Sequence, residues 1–125
     1  MVNLFGLFGR SREVRLVDDA VRAHGLHSAL LPDAVKFTVV RLLKATPEGV
    51  TPENTKRAGE LLAWCMMGEE EFLENNGTVI ARHADARVGA AVEEGDSLDA
   101  QLVLLTLQAK VCHPAIIDRY GLSAG

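Results

Sequence analysis

With 125 residues, 48% of them hydrophobic, the chain is long enough to bury roughly two-thirds of its unfolded surface as one domain, and it needs no disulfide or metal staple. Its formal charge of −4 argues against a general nucleic-acid binder, which carries a basic stripe; Arg10, Arg12 and Arg15 form the only local basic cluster. No run approaches the ~20 apolar residues of a membrane span, and the N-terminal apolar stretch is too short and lacks the basic residues of a secretory signal, so a cytoplasmic setting is expected.

Residues 1–10 form an apolar tip in which Phe5 and Phe8 sit among Leu4, Leu7, Gly6 and Gly9; residues 11–125 read as a single helical domain. Ser11 offers an N-cap for a helix that runs to about His24, with Val14, Val17, Ala20 and Val21 on its apolar stripe and Gly25 as the residue that ends it. Pro32 and Asp33 suit the first turn of a second helix through Ala45, which buries Val35, Val39, Leu42 and Leu43 and exposes Lys36, Arg41 and Lys44.

Thr51 as N-cap, Pro52 at the first helical position and Glu53 behind it give the clearest helix start in the sequence. That helix buries Ala58, Leu61, Leu62, Cys65, Phe72 and Leu73, while Trp64 and Met67 point away from the stripe. Gly68 weakens its middle, and Asn75, Asn76 and Gly77 end it. Thr78 then caps a helix to about Glu94 built on Ile80, Ala81, Ala84, Val88, Ala91 and Val92. Its many alanines make it thin, so it should lie close against the next helix, antiparallel, through the short loop Gly95, Asp96, Ser97.

Residues 98–113, LDAQLVLLTLQAKVCH, are the most apolar helix-length stretch in the chain. At 100° per residue Leu98, Leu102, Leu105, Ala109 and Cys112 fall on one side, and Ala100, Val103, Leu104, Leu107 and Val111 roughly opposite. Gln101 and Gln108 form a polar strip between the two. A helix apolar on two faces is either the centre of the domain or half in the core and half in an oligomer interface. Ser97 caps its start and Pro114 stops it at or before His113; a last turn or two follows to Tyr120. No segment alternates apolar and polar residues as a strand would, so the expected fold is all-α: a compact bundle of about five helices plus a short C-terminal helical turn.

Groupings that could carry chemistry are few. His24, His27, Cys112 and His113 are zinc-type ligands, but their spacing gives no reason for all four to meet. Glu69, Glu70, Glu71, Glu74, Glu93, Glu94, Asp96 and Asp99 read as solvated faces and helix-end charges, and no Glu-x-x-His occurs to build a di-iron site. Cys65 and Cys112, beside His83 or not, read as reduced, buried, inert thiols in apolar stripes. Arg82, His83 and Arg87 form a small basic patch on a helix face. No Gly-rich phosphate loop follows a strand, so no nucleotide site of that kind is expected. No catalytic, metal or cofactor-binding residues are assigned, and no cofactor is implied.

The function these observations favour is non-catalytic: self-association as a homodimer and contact with other proteins, through a surface including Phe5, Phe8, Trp64, Met67, Gln101 and Gln108. Nucleic acid is not an expected partner. The tip, an apolar wedge next to arginines, is expected first to fold back on its own bundle, then to dock into a partner, and least to touch a membrane. The alternative is a small enzyme or ligand-binding bundle with a pocket between helices, its polar groups drawn from His24, His27 or His83.

Overall fold

Ser11, Thr51 and Ser97 each accept a hydrogen bond from the backbone amide three residues on, at 3.2, 3.0 and 3.1 Å, so three of the expected helix starts are side-chain caps in fact. The computed structural model describes residues 11–122. Within them the fold is all-α: α1 (Arg12–Ala23), a 3₁₀ turn (Ser28–Leu30), α2 (Asp33–Lys44), α3 (Pro52–Met67), α4 (Glu69–Glu94), α5 (Leu98–Gln108) and the short α6 (Pro114–Tyr120). No strand occurs among the described residues. The expected bundle of about five helices with a short C-terminal one is therefore what forms.

Two glycines cut the middle of the chain. Gly68 adopts φ 86° and ψ 166° and divides α3 from α4, a full break where a weakened helix was expected. Gly77 repeats that conformation inside α4 (φ 86°, ψ 171°), so the expected boundary near residue 77 appears as a kink between two helical arms. Gly95 then closes α4 in the left-handed conformation, and the α4–α5 pair turns back through Asp96 and Ser97 as anticipated.

The centre of the bundle is α3, which corrects the expectation that residues 98–113 hold that place. α3 packs against α1, α2, α4 and α5. It is consequently buried nearly all round: Leu61, Leu62, Ala63 and Cys65 have no exposure, and Trp64 and Met67 retain only 1% and 4%. The stripe argument that sent Trp64 and Met67 outward holds for a helix with one covered face, and α3 has neighbours on opposite sides. Gly59 lets α1 approach closely: a Cβ there would lie 2.5 Å from the Ala20 Cβ and 2.8 Å from the Ala20 carbonyl carbon.

α5 stops at Gln108, short of the expected end at His113. The amide of Val111 donates to the Thr106 carbonyl (3.0 Å) and that of Lys110 to the Leu107 carbonyl (3.1 Å), the paired bonds of a Schellman ending, with Lys110 at φ 61° in the place usually held by glycine. Leu102, Val103 and Thr106 are buried, while Leu104 is 51% exposed and Leu98, Leu105 and Leu107 are half-buried. So α5 has one core face and one outer face.

Other burial expectations also need correcting. Lys36 is buried rather than exposed, because its ammonium pairs with Asp18 at 2.8 Å between α2 and α1. Leu73, Ile80 and Val92, placed inside from periodicity, are each exposed by about two-fifths, since α4 is covered on one side only. Among the described residues no helix is long and apolar enough to cross a membrane.

Candidate functional site

The outer face of the α4–α5 hairpin carries an apolar groove of about 210 Å³. Val103 and Ala91 form its buried floor; Val92, Ala100, Leu104, Leu107 and Leu122 line it. Helical spacing explains the lining, because Ala100, Leu104 and Leu107 recur at i, i+4 and i+7 on α5, and Val92 faces them from the last turns of α4. None of the lining residues is charged. Gln101 and Gln108 are exposed on α5 beside it.

A second concavity, of about 270 Å³, is polar and lies between the 46–54 segment, α3 and the start of α5. Arg87 and Asp99 in its wall are already committed to each other. Arg87 makes a two-pronged contact with Asp99 (Nε to Oδ2 3.1 Å, Nη2 to Oδ1 2.8 Å) and donates Nη1 to the Arg57 carbonyl at 2.8 Å. The third, of about 150 Å³, borders Trp64, Asp85 and Arg119. There Tyr120 donates to Asp85 at 2.6 Å and accepts from the Trp64 indole at 3.0 Å, while Arg119 donates two bonds to Asp85 and one to Glu69. The guanidinium also lies 5.7 Å from the Trp64 ring centre. This network clamps α6 onto α3 and α4.

The Asp85 carboxyl is held below the usual carboxylate range, first by Arg119 and then by Tyr120, against a smaller opposing effect of burial. Tyr120 is pushed up by burial and by the neighbouring Asp85 carboxylate. Asp85 and Tyr120 are thereby held in their ordinary charge states at neutral pH, the condition of a structural tie rather than of a proton-transfer centre.

The four histidines do not meet. His24 is buried, stacked on Phe72 with ring centres 6.2 Å apart, and its Nδ1 lies 2.9 Å from the Ala20 carbonyl. His27 and His113 each cap a helical turn through Nδ1, accepting from the amides of Ala29 and Ala115. His83 sits 2.6 Å from Glu60. Among the described residues no three His, Cys, Asp or Glu side chains are grouped to hold a metal ion. The basic patch expected at Arg82, His83 and Arg87 dissolves, since Arg87 turns inward to Asp99 and His83 is taken by Glu60.

Of the proposed interaction residues, Gln101 and Gln108 are exposed. Trp64 and Met67 are core residues, Trp64 meeting Phe72 edge-on at 5.3 Å, and are withdrawn from that surface. Phe5 and Phe8 lie outside the described residues. Val92 and Leu104 form the rim of the groove; periodicity places Val92 in the core and leaves Leu104 on a face open to either core or interface.

Missing from the sequence reading was an approach between Cys65 and Cys112. Because α5 ends early, Cys112 falls in the segment that returns to α3, and the His113 amide donates to the Cys65 carbonyl at 2.7 Å. Each thiol shifts the ionisation of the other, and Thr106 acts on both. Cys65 has no exposure, whereas Cys112 is half-buried. The expectation of two separate, buried, inert thiols is corrected on both counts: the pair is adjacent, and one member reaches the surface.

The fold and these sites define a small helical bundle with an uncharged apolar groove on one face and a dithiol at the end of α5. No family model, no curated protein and no solved structure matches the chain.

Proposed function

We propose that this is a non-catalytic cytoplasmic protein that works through protein contacts, and that the groove between α4 and α5 is where it associates with a second copy of itself. The observation that carries the reading is the rim of that groove: Leu104 and Val92, 51% and 42% exposed, stand on either side of an apolar floor with no charge in the lining. Water-exposed leucine and valine over a ready-made concavity gain by being covered, at roughly 25 cal/mol per Å² of apolar surface removed from water.

A second copy suits this surface for an electrostatic reason. A two-fold interface sets each residue of the patch against the same patch, so any charge at its centre would face its own like. An uncharged groove flanked by Gln101 and Gln108 avoids that repulsion, and amides can pair with amides because each both donates and accepts. With Trp64 and Met67 in the core, the apolar surface expected on α3 is withdrawn, and the exposed Leu104 favours α5 as the interface helix. The free thiols are in keeping with the reducing cytoplasm.

The ligand-binding alternative called for a pocket reached by a histidine. None of the three concavities described above is lined by one. Analytical ultracentrifugation tests the dimer: the wild-type chain should sediment as a dimer in the micromolar range. Leu104→Glu, which sets like charges against each other across the axis, should sediment as a monomer that keeps the wild-type helical circular dichroism spectrum. A wild-type monomer overturns the reading.

A further inference from the structure

The core of this bundle contains one reactive grouping that protein association does not use. Thr106, near the end of α5, accepts the amides of Val111 (3.0 Å) and Cys112 (3.2 Å) on its carbonyl, which folds the chain back immediately after the helix. The next amide, that of His113, reaches the Cys65 carbonyl at 2.7 Å. By standard backbone dimensions that single link keeps the Cα atoms of Cys65 and Cys112 within about 7.5 Å however the bond is angled, against the ~4.4–6.8 Å a disulfide spans. The two thiols are close enough to shift one another's ionisation.

The two sulfurs are chemically unlike. Cys112 is half-buried and open to a small reagent; Cys65 is sealed in the core of α3. Hydrogen bonding from the Cys65 thiol, opposed by partial burial and helped by Thr106, brings the Cys112 thiol down to about 7. Cys65 is driven the opposite way, by the same hydrogen bond, by burial, and by the charge that Cys112 acquires. A thiolate, not a thiol, is the nucleophile, so the half-buried member of the pair is the one that ionises more readily while the other waits behind it protonated.

We infer that Cys112 and Cys65 form a peroxide-reactive dithiol, in which Cys112 is the attacking thiolate, Cys65 the resolving thiol, and a hydroperoxide the oxidant. The step balances as follows. The Cys112 thiolate attacks the terminal oxygen of the hydroperoxide; the S–O bond forms, the O–O bond breaks, and the departing alkoxide or hydroxide takes a proton from water. Cys112 is now a sulfenic acid, oxidised by two electrons, and the hydroperoxide has been reduced to an alcohol or to water. The Cys65 sulfur then attacks the Cys112 sulfur; the S–S bond forms, the S–O bond breaks, and the hydroxyl leaves with the Cys65 proton as water. The net change is two thiols and one hydroperoxide to one disulfide, one alcohol and one water. A low-molecular-weight thiol restores the reduced pair by exchange.

The product joins the last turn of α3 to the segment after α5. It locks the Schellman ending of α5, and with it the position of Leu107 at the groove, so oxidation acts on the fold as a staple.

Intact-mass analysis of the full-length reduced protein after treatment with hydrogen peroxide tests this. The expected result is loss of two hydrogens in the monomeric chain, no gain of oxygen, a Cys65–Cys112 linked peptide on digestion, a raised melting temperature, and reversal by dithiothreitol. In Cys65→Ser, and in Cys65→Ala should the serine variant fold poorly, Cys112 should stall as a sulfenic acid that dimedone traps. Three outcomes overturn the proposal: Cys112 gaining two or three oxygens in the wild-type chain while Cys65 remains alkylatable, a disulfide linking two chains instead of one, or no reaction of either thiol with a large excess of peroxide. The wild-type measurement decides without the variants.

Discussion

Lys36 on α2 and Asp18 on α1 form an ion pair of 2.8 Å whose side chains are 3% and 8% exposed, so the first two helices are joined at their contact by two charges withdrawn from water. Such a pair is not a large net source of stability, because desolvation offsets most of the attraction, but breaking it leaves one charge stranded. Asp18→Asn should therefore cost about 3 to 5 kcal/mol, moderated by the exposed Asp33 carboxylate 3.8 Å from the same ammonium. Replacing both partners, Asp18→Leu with Lys36→Met, should recover most of that loss. Urea unfolding of the single and double variants checks it; an additive double variant would mean that the charges do not act as a pair.

A second tie responds to acid. The Asp85 carboxyl titrates lower in the folded protein than in the unfolded chain, chiefly through Arg119 and then Tyr120. A depressed carboxyl contributes stability that is fully present above its unfolded value, about 4, and that is lost as pH falls through the folded one. The stability difference between wild type and Asp85→Asn should thus be constant from neutral pH to about 4 and shrink below it. Thermal melts across that range read the difference directly, and a gap that widened with acid would contradict the assignment. Tyr120→Phe, which deprives the buried Trp64 indole of its acceptor, should cost about 1 to 3 kcal/mol at neutral pH.

What the sequence reveals and what it conceals divide by range. Ser11, Thr51, Ser97, Gly25 and Gly95 act within a turn of their own position, and their capping roles could be read residue by residue. The outer face of α5 was half legible: Gln101 and Gln108 marked a surface strip, but Leu104 between them stayed open to core or interface because periodicity reports sides, not neighbours. Trp64 and Met67 were misplaced for the complementary reason, since only the packing of α3 against four helices removes its free face. Lys36 counted as exposed by residue type until Asp18 stood opposite it. The dithiol was hidden twice over, by a helix end that lacks glycine and by a contact between residues 65 and 112 that no local signal encodes.

Gly59 and Gly89 make a pair of opposite sign. Alanine is better than glycine in a helix interior by about 1 kcal/mol, so an unobstructed change should stabilise. At Gly89 an added Cβ meets nothing within 4 Å, and Gly89→Ala should raise stability by about that amount. At Gly59 the Cβ would press on the Ala20 Cβ at 2.5 Å and on its backbone carbon at 2.8 Å. Backbone held in α1 cannot yield as a flexible side chain can, and overpacking of this kind costs about 1 to 3 kcal/mol, which exceeds the propensity gain. Gly59→Ala should lower the melting temperature while Gly89→Ala raises it; shifts of the same sign would show that α1 does not lie against α3 at this residue.

Lys110 reverses the usual helix ranking. It is exposed and holds φ 61°, a left-handed conformation that costs a residue with a Cβ roughly 1 to 2 kcal/mol and glycine almost nothing. Lysine here has a partial compensation, because a cation just beyond the last turn favours the negative end of the helix, by up to about 0.3 to 1 kcal/mol. Comparing two uncharged replacements removes that contribution from the difference. Lys110→Gly should be more stable than Lys110→Ala by about 1 kcal/mol, although inside a helix alanine would win by a similar margin. The two outcomes differ in sign, so chemical denaturation of the two variants separates them. If alanine proves the better residue, α5 continues through position 110 in solution, and the backbone turn that carries Cys112 to Cys65 is not formed as described.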